Sequence, residues 1–141
     1  MIEKFLLGTY TLKSSYGIYE LELNDDQKRL QNLRYVASSG NPTYLALSKK
    51  NRIYAIDKVW HNNWAEEDDH MQGGLQVLDN STRPAKVIDY QLNPGTSPAY
   101  VTVDEPRQMV FTANYHTGAV IIYKIQNDGS LKETDRVVDK G

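Results

Sequence analysis

An all-β fold built from repeated four-stranded units is what this sequence predicts, on three observations. The first is an internal repeat. Asn41-Pro42-Thr43-Tyr44-Leu45-Ala46-Leu47-Ser48 returns 56 positions later as Ser97-Pro98-Ala99-Tyr100-Val101-Thr102-Val103-Asp104, and each copy leads into a second apolar run, Ile53-Tyr54-Ala55-Ile56 or Met109-Val110-Phe111-Thr112. The second is alternation with a period of two, the mark of half-buried strands, with no stretch keeping a helical period. The third is the aromatic set: ten Tyr against two Phe and two Trp. Tyrosine favours strands, where its ring covers a pleated face while its hydroxyl reaches water.

The elements follow in order. The chain start predicts strands over 4–10, 17–23 and 31–37. In the second of these Tyr19, Leu21 and Leu23 share one face and Glu20 and Glu22 take the other. The next unit predicts strands over 43–48, 52–58, 74–79 and 86–91, and the last over 99–104, 108–114, 119–125 and 131–137. Leu45 pairs with Leu47 on one face of the first copy, as Val101 does with Val103 in the second. Asn127-Asp128-Gly129-Ser130 carries hairpin chemistry, and Glu105-Pro106 cannot sit inside a central strand. Gly17, Gly74 and Gly118 read as equivalent positions opening the third strand of each unit.

Four antiparallel strands in a unit of ~40–50 residues is the size of a propeller blade. Phe5 to Tyr10 matches a second strand, so the opening unit lacks its first, inner strand. The expected architecture is therefore a partial β-propeller. Residues 1–38 supply three outer strands of a closing blade, 39–93 a first complete blade with an inserted loop over 60–73, and 94–141 a second complete blade. Asp139-Lys140-Gly141 stops where another inner strand should begin, so the chain is expected to be an incomplete piece. Its open blade edges would pair with missing C-terminal blades or self-associate.

Composition narrows the function. A length of 141 residues suits one ordinary domain. A net charge of −2 with no basic stripe argues against nucleic acid as a partner. The absence of cysteine excludes a disulfide framework, thiolate chemistry and a cysteine-ligated metal. Met1 to Gly8 is too short an apolar run for a signal peptide, and no segment has the length of a membrane span. A soluble cytoplasmic protein is the expectation.

Several motifs together carry a resemblance. They are Leu7-Gly8-Thr9-Tyr10-Thr11 with Gly17-Ile18-Tyr19, the Asn41–Ser48 repeat, and Ser97-Pro98-Ala99-Tyr100-Val101. Ala113-Asn114-Tyr115 followed by Gly118, and Asn127-Asp128-Gly129-Ser130-Leu131, complete the set. In this order and spacing the chain resembles the N-terminal part of the seven-bladed propeller lactonases, the bacterial 6-phosphogluconolactonase family. The resemblance implies hydrolysis of 6-phosphogluconolactone to 6-phosphogluconate in the pentose phosphate pathway, without a cofactor. It implies a small phosphorylated sugar lactone as the partner molecule. It also implies that the catalytic residues lie downstream of Gly141, since nothing here matches the His, Glu and Arg positions of related propeller enzymes. A non-catalytic binding propeller and a truncated product without activity are the alternatives, because one fold hosts many functions.

Candidate site residues come from the propeller register. Loops joining fourth to first strands and second to third strands share one rim. That rim would gather Tyr10, Asn41, Lys58, His61, Asn114, Tyr115 and His116. Lys58 could serve a phosphate, and Asn114 and Tyr115 the sugar hydroxyls. Set against this, Asn114 and Tyr115 are ordinary residues for shaping the turn before Gly118. His116 could act as a general base, but no acidic orienter adjoins it, and a surface role is the plainer reading. The stretch His61 to His70 with Glu66, Glu67, Asp68 and Asp69 lacks the spacing of a metal site and reads as a solvated acidic loop. Trp60 and Trp64 flank it and would either stack on a sugar or pin the loop. Neither Ser38-Ser39-Gly40 nor Gly73-Gly74 is a phosphate loop, and Ser14-Ser15 lacks a nucleophile-elbow context.

Overall fold

The computed structural model describes residues 1–11, 14–59, 72–93 and 97–139. Within them run eleven strands and no helix: β1 (Ile2–Gly8), β2 (Gly17–Asn24), β3 (Arg29–Ser38), β4 (Leu45–Leu47), β5 (Arg52–Val59), β6 (Gln72–Asp79), β7 (Lys86–Asn93), β8 (Tyr100–Asp104), β9 (Met109–Asn114), β10 (Ala119–Ile125) and β11 (Leu131–Val138). They form a three-stranded sheet β1-β2-β3 and two four-stranded sheets, β4-β5-β6-β7 and β8-β9-β10-β11, each pairing consecutive strands antiparallel. The chain is all-β, a partial propeller of three stacked blades. Among the described residues no helix is long and apolar enough to cross a membrane.

Strand limits shift where backbone contacts intervene. The first strand spans Ile2–Gly8 rather than 4–10, because Gly8 lies flush against the next unit: a Cβ there would meet the Pro42 carbonyl oxygen at 1.8 Å. β4 shrinks to three residues, since Thr43 N–H turns back to the Asn41 carbonyl at 2.7 Å. Of the expected inserted loop 60–73, residues 60–71 lie outside the described residues and Gln72 and Gly73 belong to β6. The glycine register is also corrected. Gly74 pairs with Asp57 and Ala119 with Asn114, the equivalent residues of β5 and β9, so Ala119 rather than Gly118 stands with Gly74.

Two cores lie between the sheets. Between the first and second sheets pack Ile18, Val36 and Ala37 with Ile53, Ala55, Leu78 and Ala85. Between the second and third pack Tyr54, Ile56, Leu75 and Val77 with Val101, Val110, Ile121, Tyr123, Ile125 and Leu131. In β2 the two faces divide as the alternation requires, but the carboxylates take the inner side. Glu20 and Glu22 are buried beside Ile18, while Tyr19, Leu21 and Leu23 are only half-buried on the outer side. Burying a carboxylate requires partners. Glu20 has Arg83 at 3.2 Å and Lys4 at 4.0 Å; Glu22 accepts from the Asn32 amide at 3.1 and 3.2 Å.

Candidate functional site

The rim is built by loops that lean on neighbouring strands. Asn41 follows Gly40 with a positive φ of 44° and is 2% exposed. Its Oδ1 accepts from Thr11 N–H at 2.9 Å and Thr11 Oγ1 at 3.2 Å, and its own N–H donates to Thr11 Oγ1 at 3.1 Å. Asn41 thus ties the entry of the second sheet to the β1–β2 connection of the first. Gly40 has no room for a side chain, because a Cβ would stand 2.3 Å from the Lys58 carbonyl oxygen. Its N–H donates to Asp57 Oδ1 and its carbonyl accepts Lys58 N–H at 2.6 Å.

Asp57 is a buried carboxylate at the heart of this corner. Besides Gly40 it receives Ser39 Oγ at 3.4 Å. The buried Tyr90 hydroxyl makes no hydrogen bond of good geometry among the described residues. Its pKa is raised all the same, by burial first and then by the adjoining Asp57 carboxylate, through hydrogen bonding and then charge. Lys58 is half-buried, and its ammonium has no ion pair or hydrogen bond among the described residues.

A second group forms at the β9–β10 turn. Asn114 is buried; its Nδ2 donates to the Ser97 carbonyl at 3.2 Å, and its Oδ1 accepts from His116 N–H at 2.9 Å and Thr117 N–H at 3.2 Å. Its own carbonyl takes Gly118 N–H at 2.9 Å, where φ is 71°. This turn lifts Tyr115, 77% exposed, and stacks its ring against His116 at 4.2 Å between centroids. Tyr10 is likewise exposed. Asn41 and Asn114 therefore spend their side chains on loop geometry, whereas Tyr10, Tyr115 and His116 are exposed and Lys58 is half-buried. His61, Trp60, Trp64 and the acidic stretch lie outside the described residues. Among the described residues no three His, Asp or Glu side chains gather closely enough to hold a metal ion.

Two further rim residues emerge from the repeat itself. Tyr44 and Tyr100, the equivalent tyrosines of the two copies, bring their rings to 4.6 Å at an interplanar angle of 51° and stay partly exposed. Lost hydration raises the pKa of the Tyr44 hydroxyl, and the Tyr100 hydroxyl adds to the effect. Their identical place in the two copies is the signal by which the sequence could have marked them.

The arrangement offers a cation, phenolic hydroxyls and flat ring surface beside a buried carboxylate, a set suited to a polyhydroxylated anion. Comparisons with known proteins identify the family. Residues 4–141 match the family model "Lactonase, 7-bladed beta-propeller". The chain is 40% identical over 129 residues to 6-phosphogluconolactonase of Bacillus subtilis, covering 89% of this chain and 34% of that protein. It is 38% identical over 141 residues to an uncharacterized protein of Lactococcus lactis, covering 100% of this chain and 38% of that one. A crystal structure of a Lactobacillus plantarum protein superposes with a TM-score of 0.82 at 44% identity, over 97% of this chain and 37% of the other. The chain spans little more than a third of the length of the relatives it matches.

Proposed function

Because the chain belongs to the seven-bladed β-propeller lactonase family, we propose that the protein hydrolyses a sugar lactone, with 6-phosphogluconolactone as substrate and 6-phosphogluconate as product. The observation that carries this reading is the 40% identity to the Bacillus subtilis enzyme across nearly all of the chain. In it, water adds to the lactone carbonyl carbon, the carbonyl oxygen takes up negative charge, and the ring C–O bond then breaks as the ring oxygen gains a proton. Such a path calls for a polarised carbonyl, an oriented water and a clamp on the phosphate.

This chain's share of the work is binding. Lys58 supplies a cation to the phosphate, Tyr10 and Tyr115 supply hydroxyls to the sugar, and the Tyr44–Tyr100 pair supplies a face for its C–H groups. Asn41 and Asn114 hold the loops that carry them. The reading places the reaction in the pentose phosphate pathway, in the cytoplasm, with no cofactor.

The test is an assay of the protein at its native length on freshly generated 6-phosphogluconolactone. Hydrolysis well above the spontaneous rate is expected, and K58Q should raise KM more than it lowers kcat, because a phosphate clamp acts in the ground state too. A rate no faster than the uncatalysed one would sink the proposal and leave a binding propeller.

A further inference from the structure

Away from the rim, the junction of the first two sheets opens into a groove of about 510 Å³. Lys4 of β1, Glu20 of β2, Arg34 of β3 and the β6–β7 turn residues Asn80, Ser81 and Arg83 line it. Its three cations come from three separate segments of the chain. The one carboxylate of the groove, Glu20, is buried and shared between Arg83 and Lys4. The neighbouring carboxylates are engaged elsewhere: Glu22 by the Asn32 amide, and Asp79 by Ser81 N–H at 2.9 Å and Ser81 Oγ at 2.6 Å.

Arg83 is not a loose surface cation. Its Nη1 donates to the Asn80 carbonyl at 3.0 Å, Asn80 Oδ1 at 2.9 Å and the Thr82 carbonyl at 2.9 Å, while Nη2 holds Glu20. The guanidinium is therefore fixed before any ligand arrives. Arg34 is the converse: exposed, with no hydrogen bond or ion pair among the described residues. A planar guanidinium with unspent donors beside a fixed one is the usual means of gripping a tetrahedral oxyanion.

The second junction shows that the groove is not a by-product of stacking blades. The matching turn there has the same Asp-x-Ser form, with Ser130 N–H at 2.9 Å and Ser130 Oγ at 2.6 Å from Asp128 Oδ1. At that turn the Arg52 guanidinium packs directly over Gly129, where a Cβ would meet its Cζ at 2.9 Å.

We infer that the groove between the first and second sheets is a binding site for the phosphate group of a small phosphorylated metabolite, with Arg34, Arg83 and Lys4 as its donors. Three cations on different sides match the three terminal oxygens of a phosphomonoester better than the two of a carboxylate. The volume suits a small molecule. The inference is independent of the lactone reading, since it uses no rim residue.

Titrating the full chain with inorganic phosphate at constant ionic strength, followed by amide chemical shifts, tests it. Saturable shifts centred on Arg34, Ser81 and Arg83 are expected. Arg34→Gln, which removes no side-chain hydrogen bond or ion pair among the described residues, should weaken binding roughly tenfold, and Lys58→Gln at the rim should leave these shifts unchanged. Glycerol phosphate should bind at the same place at least as tightly. Three results would each overturn the inference: no saturable shift at about 20 mM phosphate, a range in which even a weak site registers; shifts that survive Arg34→Gln; or shifts found only around Lys58.

Discussion

The first and second inter-sheet junctions repeat the same blade geometry and are held by different forces. At the second, two fully buried tyrosine rings, Tyr54 and Tyr123, anchor the larger core, and buried polar bonds stitch its edges. Asp89 Oδ2 accepts Leu131 N–H at 2.8 Å, Gln91 Nε2 reaches the Leu131 carbonyl at 2.9 Å, and Tyr123 Oη reaches Asn93 Oδ1 at 3.4 Å. At the first, the core holds no aromatic ring, and the edges are closed by one backbone bond, Ala85 N–H to the Val36 carbonyl at 2.8 Å, by the Thr11–Asn41 bonds at the rim, and by the Glu20–Arg83 ion pair. One repeat can thus be glued mainly by burial or partly by charge. The charged version leaves the wider polar groove, about 510 Å³ against about 90 Å³ for the cavity that Asn93, Thr112 and Asn114 line at the second junction.

Core truncation should separate the two most sharply. Tyr123→Ala empties a ring-sized space between the second and third sheets and should cost about 3–5 kcal/mol. Ile18→Ala, the matching deletion at the first junction, should cost less, about 2–4 kcal/mol. Urea unfolding of both variants compares them directly. A larger loss for Ile18→Ala would invert the comparison.

Edge contacts should differ in kind more than in size. Asp89→Ala strands the Leu131 N–H and should cost about 1–3 kcal/mol, with little dependence on salt. Glu20→Gln leaves Arg83 without its charge partner. A fully buried pair broken this way loses about 3–5 kcal/mol, but the Arg83 side chain is 40% exposed, so about 1–2 kcal/mol is expected. That loss should shrink as salt rises, because screening already weakens the wild-type pair. Melting temperatures across a salt series would show it. Equal salt slopes for the two variants would remove the distinction between an edge held by an ion pair and one where a carboxylate accepts from neutral N–H groups.

Much of the architecture was legible in the sequence because its determinants are local. Period-two alternation, glycines and Asx turns mark the eleven strands within a few residues. The inner face of β2 was not legible: what buries Glu20 is Arg83, 63 residues away, and only the stacking of two sheets brings them together. The same holds for the groove, whose cations come from three segments, and for the Tyr44–Tyr100 pair, visible as a repeat but not as a contact. Asn114 was read both as a turn former and as a sugar ligand. Its bonds to His116, Thr117 and Ser97 are those of a turn former, a distinction that depends on which N–H groups the fold delivers to it.

The smallest expected effect is the most searching check of the comparison. The Asp79 and Asp128 turns are near copies, each carboxylate held below its ordinary pKa chiefly by the side chain and backbone of a serine two residues on. A carboxylate whose folded pKa is depressed stabilises fully above its unfolded value, about 3.9, and loses that contribution as pH falls through the folded value. Stability should therefore decline below about pH 4, and Asp79→Asn and Asp128→Asn should each flatten that decline by a similar small amount. Acid titrations of unfolding for the two variants measure this. Similar flattening would mean that the turns are interchangeable and that what distinguishes their surroundings is Arg34, Arg83 and Arg52. A distinctly larger effect at Asp79 would make that turn's own charge part of what holds the first junction. The carboxylate would then have to be counted against the cations of the groove.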